Sequence, residues 1–309
     1  MTRHQDDIGR LSAGRVIRLF DGREALRDAG PSRAEVVLVS GGAARLYAET
    51  PFGPHFIGDV PPPLLFDLRH AVGGAEGVCR AVPEAGATGA VFPAGRARAL
   101  LFDAGEGGQA FRRVALSGLT AALRTTIASL SRFFDAPAES GGTSAALRDA
   151  PPVEEHPIDP DHAGALLEAA GLDPAILPAL GLVARRLLPG ATLAAAGAPG
   201  QEAFILAEGR LRVSVDIPGA GEEALAILRS GEIAGEMSLV DDAPRSANLY
   251  AHNGPATVYV LSRDVFRRLL KSGDPQGAPL LAGIVVVLAR RLEEALKKSA
   301  GFRILSGPI

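Results

Sequence analysis

Short runs in which apolar and polar residues alternate recur along the chain, and turns rich in Gly, Pro and Asp separate them. In "EAFILAEGRLRVSVD" (202–216) an apolar run ends at a Glu-Gly turn, after which Leu211, Val213 and Val215 alternate with polar residues. This pattern predicts a β-hairpin. Short strands at regular spacing predict an antiparallel β-barrel or sandwich, here with helices at its ends.

Longer segments with helical spacing follow the strands. Residues 119–134 predict an amphipathic helix, and the apolar run at 280–289 predicts a buried helix, because about 20 residues are needed to span a bilayer. Residues 135–160 are rich in Pro, Gly, Ser and acidic residues and predict a linker. The segment after it is helix-like, and Asp161 or Asp173 is a candidate N-cap.

The pattern is written twice. Three pairs of segments match in the same order with a nearly constant offset. In the pair formed by residues 36–49 and 203–216, Gly42 falls on Gly209 and Arg45 on Arg212. These matches predict a duplicated domain. The paired segments are "RVIRLFDG" (15–22) with "VARRLLPG" (183–190), in which Arg18 and Leu19 fall on Arg186 and Leu187, "VVLVSGGAARLYAE" (36–49) with "AFILAEGRLRVSVD" (203–216), and "VFPAGRARALL" (91–101) with "VLSRDVFRRLL" (260–270).

Composition narrows the class of protein. A chain of 309 residues favours two domains, and a net charge of -3 gives no basic field for nucleic acid or acidic membranes. The lone Cys79 and a polar, acidic N-terminus unlike a signal peptide favour the cytoplasm. We find no H-E-x-x-H, G-x-S-x-G or Walker-type motif, and capping plus a solvated linker explains "EEHPIDPDH" (154–162) better than a metal site. We therefore expect no enzyme activity, metal or cofactor.

The stretch "GEIAGEMSLVDDAPRSANLYA" (231–251) carries the most specific chemistry. Gly235 lets a ligand approach the backbone, Glu236 can accept hydrogen bonds from sugar hydroxyls, and Arg245 offers a planar fork of donors for phosphate oxygens. Ser246 adds a hydroxyl beside it. On this string alone, a surface ion pair between Glu and Arg is the competing interpretation.

The surroundings of this stretch resemble the cyclic nucleotide-binding domain family, which includes the catabolite activator protein and the regulatory subunits of cAMP-dependent kinase. The resemblance covers roughly residues 161–300. It rests on turn glycines and on the phosphate-binding cassette: Gly190, Gly197 and Gly209, and Gly235, Glu236, Pro244, Arg245, Ser246 and Ala247. The resemblance implies an eight-stranded jelly-roll-like β-barrel followed by a helical lid.

The resemblance also implies roles for the cassette residues. Glu236 would bind the ribose 2′-hydroxyl and Arg245 the cyclic phosphate, and Ser238 would add a hydroxyl. Backbone amides would complete the cradle: those of Gly235, Met237, Ser246 and Ala247. Ser rather than Thr at position 246 favours cAMP over cGMP. Arg290 or Arg291 is a candidate contact for the base, and the alternative is that both arginines simply form a solvated basic end of the helix.

The sequence of the first copy predicts that its nucleotide-binding site has been lost. Aligning Gly58-Asp59 with Gly231-Glu232 places Pro62 at Gly235 and Pro63 at Glu236. Proline lacks a backbone N–H, so the cradle would lose donors there, and the carboxylate of Glu236 would be absent too. The remaining cations of this region, Arg69 and Arg80, are out of register with Arg245.

The sequence thus predicts a mainly β fold with flanking helices: two tandem jelly-roll-like domains, the first degenerate (1–134), then a linker (135–160) and a nucleotide-binding domain with a C-terminal lid helix (161–309). The function predicted is that of a cytoplasmic second-messenger receptor that binds cAMP or cGMP and signals to an unidentified protein partner, without nucleic acid or membrane. A ligand-independent scaffold is the alternative. A homodimer through the last helix, and burial of that helix on its own domain, both stay open.

Overall fold

The computed structural model describes residues 2–12, 18–22, 26–27, 35–72, 79–132, 154–156, 177, 180–217, 221–271 and 277–306. The chain divides into two compact units. Unit 1 comprises Met1–Phe133 together with Ile284–Ile309, and unit 2 comprises Phe134–Gly283.

Up to Arg132, the described residues of unit 1 form a helix, then eight strands with a short helix after the sixth, and then two helices. Its elements in chain order are α1 (Thr2–Ser12), β1 (Arg18–Asp21), β2 (Leu26–Arg27), β3 (Glu35–Gly41), β4 (Ala44–Thr50), β5 (Gly53–Val60), β6 (Leu64–Phe66), α2 (Arg69–Val72), β7 (Cys79–Pro83), β8 (Ala85–Pro93), α3 (Ala94–Phe102) and α4 (Glu106–Arg132). The strands form two antiparallel sheets, ordered β1-β8-β3-β6 and β2-β7-β4-β5.

Alternation of apolar and polar residues places one face of each sheet in the core of unit 1. Along β4, for example, Ala44, Leu46 and Ala48 are buried, whereas the intervening side chains are more exposed. Buried side chains from both sheets, such as Phe20 and Ile57, join one apolar cluster. Burial of this kind is the main favourable contribution to folding.

Helix α4 closes over this core at very short range. Its Ala122 belongs to the apolar cluster. A Cβ added to Gly118 would lie 2.4 Å from the carbonyl oxygen of Pro63, and one added to Gly58 would lie 2.5 Å from Cγ2 of Thr125. The two glycines therefore permit a helix-to-strand approach that larger residues would prevent.

Unit 2 repeats the pattern. Its elements are β9 (Glu154–His156), β10 (Val183–Leu187), β11 (Thr192–Ala194), β12 (Glu202–Glu208), β13 (Leu211–Ile217), β14 (Gly221–Leu228), β15 (Ile233–Ala234), α5 (Met237–Asp241), β16 (Asn248–Ala251), β17 (Ala256–Ser262), α6 (Arg263–Lys271) and the start of α7 (Gly277–Ser306). The sheets are ordered β15-β12-β17-β10-β9 and β11-β16-β13-β14. Apolar residues from both sheets form its core, including Leu187, Phe204, Leu211 and Val258.

The shared topology confirms the predicted duplication and the mainly β fold with flanking helices. Strand for strand, β1 to β8 are ordered as β10 to β17 are, and β9 is an addition at the edge. Gly42 and Gly209 occupy the same hairpin turn, with φ of +78° and +81°. The strands of each unit lie in two separate sheets rather than one closed barrel, as far as the described residues extend.

One alignment inferred from the sequence is wrong by a residue. Arg18 pairs with Gly89 across β8, and Arg185 pairs with Val258 at the corresponding place in β17, so Arg18 matches Arg185 and not Arg186. Phe20 therefore takes the place of Leu187, and both are buried. The sequence match failed because the first copy has one residue fewer before its turn glycine.

Helix α7 crosses the division between the units, which falls after Gly283. In unit 1, Leu296 and Ala300 belong to the apolar core cluster and Leu292 packs against it. The sequence assigned this whole helix to the second domain as its lid, and the structure groups its larger part with the first. The predicted bounds of the domains otherwise remain predictions.

Other predicted elements are only partly described. The linker 135–160 and the helix expected from residue 161 lie outside the described residues, except that β9 pairs with Ala184–Arg186 of β10. Among the helices that are described, none is long and apolar enough to cross a membrane.

Candidate functional site

The candidate site is built where β15 passes into the short helix α5. Gly235 follows β15 directly and has φ of +79°, a left-handed conformation that glycine adopts without cost. A Cβ at this position would lie 2.5 Å from Nη1 of Arg245 and 3.1 Å from the carbonyl oxygen of Glu202. Glycine is therefore favoured at position 235 for two reasons: the left-handed turn and the close approach of Arg245.

A prediction follows for Gly235→Ala. The left-handed φ costs alanine roughly 1–2 kcal/mol, and the added methyl group must displace the Arg245 guanidinium. Gly221 is the matched control, because its φ is +89° and a Cβ there would meet nothing within 4 Å. We expect Gly221→Ala to lower stability by the backbone cost alone, and Gly235→Ala to lower both stability and ligand affinity. Urea denaturation and calorimetric titration measure the two effects, and equal behaviour of the variants would contradict the close-approach argument.

The two charged side chains predicted for the site are both brought into it. Glu236 precedes α5 and is fully buried, and Arg245 is 9% exposed. Nη1 of Arg245 donates a hydrogen bond of 2.7 Å to the carbonyl oxygen of Gly235. Buried charges are costly unless they are compensated, and the burial of both side chains means that they are not a surface ion pair.

The environment of Arg245 is apolar on one side and anionic on the other. Its Cζ lies 5.5 Å from the centre of the Phe204 ring, a cation–π contact. Burial lowers the pKa of Arg245, and the carboxylates of Glu202 and Glu236 oppose that shift. Both oxygens of Glu202 accept hydrogen bonds from Arg185, at 2.9 and 3.0 Å, so that carboxylate is already engaged.

Arg245 therefore keeps capacity for an anion. In the part of the chain that the structure describes, the one hydrogen bond of its guanidinium goes to the Gly235 carbonyl. A guanidinium carries a planar set of N–H donors, and the remaining donors are suited to phosphate oxygens.

The backbone around Arg245 is fixed from the neighbouring loop. The Arg245 N–H donates to the carbonyl oxygen of Ala198, and the Gly197 N–H donates to the carbonyl oxygen of Arg245, both at 2.8 Å. Gly200, in the same loop, is packed so closely that a Cβ would lie 2.3 Å from Cβ of Ser238. The loop and α5 thus fit directly against each other.

The remaining predicted residues surround this pair. Met237 and Ser238 are buried in α5, whereas Ser246 and Ala247 are half-buried ahead of β16. The hydroxyl of Ser246 donates to Sδ of Met237 at 3.8 Å. All seven predicted residues therefore lie in one segment, and their roles towards a ligand stay predictions.

Sequence reasoning missed three contributors to the site. Glu202 and Phe204 are on β12 and face Arg245, and Gly200 precedes that strand. The sequence placed Phe204 only within the apolar run of the predicted hairpin. The Gly-Gln-Glu string before β12 was a signal for a close approach, but many turns carry such strings.

The first copy differs at the same place, but through other residues than the sequence predicted. Phe66 pairs with Val37 as Ala234 pairs with Phe204, so Asp67 takes the position of Gly235 and Leu68 that of Glu236. Asp67 has φ of +61°, matching the left-handed turn at Gly235, and Leu68 is buried.

The alignment of Pro62 and Pro63 with Gly235 and Glu236 was therefore wrong. Gly58 and Asp59 lie inside strand β5, where Asp59 pairs with Arg45, whereas Gly231 and Glu232 lie in the turn after β14. The first copy lacks the carboxylate, as the sequence predicted, but Leu68 and not Pro63 takes the place of Glu236, and Asp67 and not Pro62 takes that of Gly235.

The cationic candidates of the first copy are also accounted for. Arg80 pairs with Tyr47 as Asn248 pairs with Ser214, and its Nε donates to Glu49 at 2.7 Å. It is therefore not in the place of Arg245. Arg69 matches Met237 by register and begins α2. Arg290 and Arg291, the candidate base contacts, lie in the part of α7 that is grouped with unit 1.

Comparison with known proteins identifies the type of domain. The model of the cyclic nucleotide-binding domain family matches residues 184–272, which include the whole cassette. This match confirms, for that segment, the family recognised from its sequence. No group of His, Cys, Asp and Glu suited to a metal ion occurs among the residues described.

Relatives of several kinds share this segment. The cyclic AMP receptor protein of Thermus thermophilus is 36% identical over 122 residues, covering 38% of this chain and 52% of that protein. The cGMP-dependent protein kinase 2 of Mus musculus is 32% identical over 95 residues, covering 30% and 12%. The chain thus spans about half or less of the length of these curated relatives.

A solved structure is similar as well. A cyclic nucleotide-binding domain from Methylobacillus flagellatus is 23% identical, with a TM-score of 0.43, and the match covers 51% of this chain and 90% of that one.

Proposed function

We propose, because residues 184–272 belong to the cyclic nucleotide-binding domain family, that the chain is a receptor for a purine cyclic nucleotide, bound in unit 2. The observation that carries the proposal is the buried pair of Glu236 and Arg245 beside the left-handed Gly235. The two side chains match two parts of one ligand: a carboxylate for a ribose hydroxyl and a guanidinium for the cyclic phosphate.

Binding of the phosphate has a plain physical basis in this site. Arg245 is already dehydrated, so part of the cost of removing water from its charge is met by the fold before a ligand arrives. An anion that replaces the missing solvent forms charge-assisted hydrogen bonds in a region of low dielectric constant. Hydrogen bonds with Gly197 and Ala198 hold the backbone of Arg245, and the Gly235 carbonyl holds its guanidinium, so less ordering of this side chain is needed on binding.

Cyclic AMP is the proposed ligand, with cyclic GMP as the close competitor. The preference rests on Ser246, which resembles the residue common in cAMP receptors. One relative is named for cyclic AMP and another for cyclic GMP, so the comparisons support a cyclic nucleotide of either base.

A thermal melt of the full chain with each nucleotide tests this proposal. At a ligand concentration 100 times the dissociation constant, binding stabilises the folded state by about 2.7 kcal/mol. We expect cAMP to raise the melting temperature at lower concentration than cGMP, and 5′-AMP to serve as the uncyclised control. If neither cyclic nucleotide shifts the melt at millimolar concentration, the receptor proposal fails and a ligand-independent scaffold takes its place.

Unit 1 is proposed not to bind nucleotide, since Leu68 replaces the buried carboxylate and α4 packs on the strands beside it. We therefore predict one nucleotide per chain, measured as the molar ratio in calorimetric titration. A ratio of two per chain, or a second binding event that survives Arg245→Ala, would contradict the assignment of unit 1.

The receptor is proposed to act on a protein partner in the cytoplasm rather than by catalysis. A ligand shifts a conformational equilibrium only by its different affinity for the two states. We therefore expect bound nucleotide to change the affinity of the chain for its partner by a certain factor, and bound partner to change the affinity for nucleotide by the same factor.

A further inference from the structure

Arg263 is the first residue of α6, and its side chain is 13% exposed. Nη2 donates to the carbonyl oxygens of Gly200 and Ser238, the latter at 3.0 Å. Nη1 forms an ion pair with Asp242. One guanidinium therefore contacts three separate backbone or side-chain acceptors.

The three acceptors belong to the two segments that carry the candidate site. Gly200 is in the loop whose residues 197 and 198 bracket the backbone of Arg245. Ser238 and Asp242 are in and directly after α5, which begins behind the buried Glu236. Asp242 ends that helix in the left-handed conformation, with φ of +59°, which turns its carboxylate back towards α6.

We propose that Arg263 is a positioning residue for the nucleotide site: it locks the 197–200 loop to α5, and so fixes the spacing between Arg245 and Glu236. This inference rests on the proposed function. Arg263 itself contacts no ligand in this proposal. Through Arg263 the start of α6 becomes part of the site, because a displacement of that helix must break the hydrogen bonds and the ion pair that hold the 197–200 loop to α5.

The shape of arginine matters for this role. A guanidinium can donate in several directions within one plane, whereas the ammonium group of lysine is a compact charge on a flexible chain and does not reproduce that fork. Arg267 contacts the same Asp242 carboxylate, at 3.0 and 3.1 Å, but its side chain is 48% exposed. It offers a control with the same charge and one shared partner.

The first experiment compares Arg263→Met with Arg267→Met by titration of the full chain with cAMP. Hydrogen bonds from a charged donor are each strong enough to change an equilibrium by about tenfold or more. We expect Arg263→Met to weaken cAMP binding by about tenfold to hundredfold and Arg267→Met by less than about threefold. Equal affinity of Arg263→Met and the unmodified protein overturns the proposal.

The second experiment separates positioning from general stability. In the ligand-free protein, we expect Arg263→Met to raise amide hydrogen exchange in residues 197–201 and 236–242 and to leave strands β12 and β13 unchanged. Uniformly faster exchange would instead mean a purely structural role and overturns the proposal. If Arg263→Met fails to fold, Arg263→Lys replaces it, and wild-type exchange together with wild-type affinity in that variant is the overturning result. Because the exchange needs no nucleotide, it tests Arg263 even if the chain binds none.

Discussion

Arg245→Ala is expected to weaken cAMP binding by about 2–5 kcal/mol, which is at least about thirtyfold. The variant removes the guanidinium that is buried between Phe204 and the Gly235 carbonyl. A phosphate entering the site would then meet the carboxylate of Glu236 without the opposing charge of Arg245. Calorimetric titration measures the loss, and circular dichroism establishes that the variant is folded.

Two further variants isolate the cause. Arg245→Lys retains the charge but not the planar fork, so we expect an intermediate loss. Arg229→Ala changes the net charge equally at an exposed position, and we expect it to bind as the unmodified chain does. If Arg245→Ala bound cAMP normally, the site would lie elsewhere in the chain.

Glu236→Leu is expected to produce the second large effect, because it places in unit 2 the residue that unit 1 carries at the same register, Leu68. Loss of a charged hydrogen-bond acceptor for the ribose should cost about 1.5–3 kcal/mol in binding free energy. Stability should also fall, because Arg245 stays buried without one of the carboxylates that offset its charge. Titration with cAMP and urea denaturation measure the two quantities.

The nucleotide itself provides the control for Glu236. The unmodified protein should prefer cAMP over 2′-deoxy-cAMP, and Glu236→Leu should bind both equally and weakly. Glu236→Gln keeps an acceptor oxygen and should retain part of the preference. A preference for cAMP that persists in Glu236→Leu would show that another group holds the 2′-hydroxyl.

The sequence predicted the cassette well because its residues are close together in the chain. Gly235, Glu236 and Arg245 are within eleven consecutive positions, and the geometry of a turn and one short helix is enough to bring them together. Glu202 and Phe204 were out of reach of this reasoning, because β12 is distant in the chain and meets the cassette through tertiary contacts, which are its pairing with β15 and the packing of Phe204 on Arg245.

The predicted alignment of the first copy with the second was wrong for a related reason. Matching one Gly-acid pair with another gave the wrong residues, since Gly58 and Asp59 are inside a strand and Gly231 and Glu232 are in a turn. Identical letters do not fix register when hydrogen bonding differs. Only the pairing of β6 with β3 shows that Leu68, and not Pro63, corresponds to Glu236.

The start of α4 was also missed. The helix begins at Glu106, thirteen residues before the predicted start at Leu119. Gly107, Gly108 and Gly118 made this stretch a poor helix by intrinsic preference. The close approach of Gly118 to Pro63 shows that packing compensates for that preference.

The shared last helix sets a practical limit on dissecting the protein. Leu296 and Ala300 fill the interior of unit 1, although they follow unit 2 in the chain. A fragment cut at residue 134 would thus leave the first half with an open apolar cavity, prone to aggregation. Supplying residues 284–309 on a separate peptide, or joined by a linker to the N-terminal fragment, would restore the missing wall of that interior.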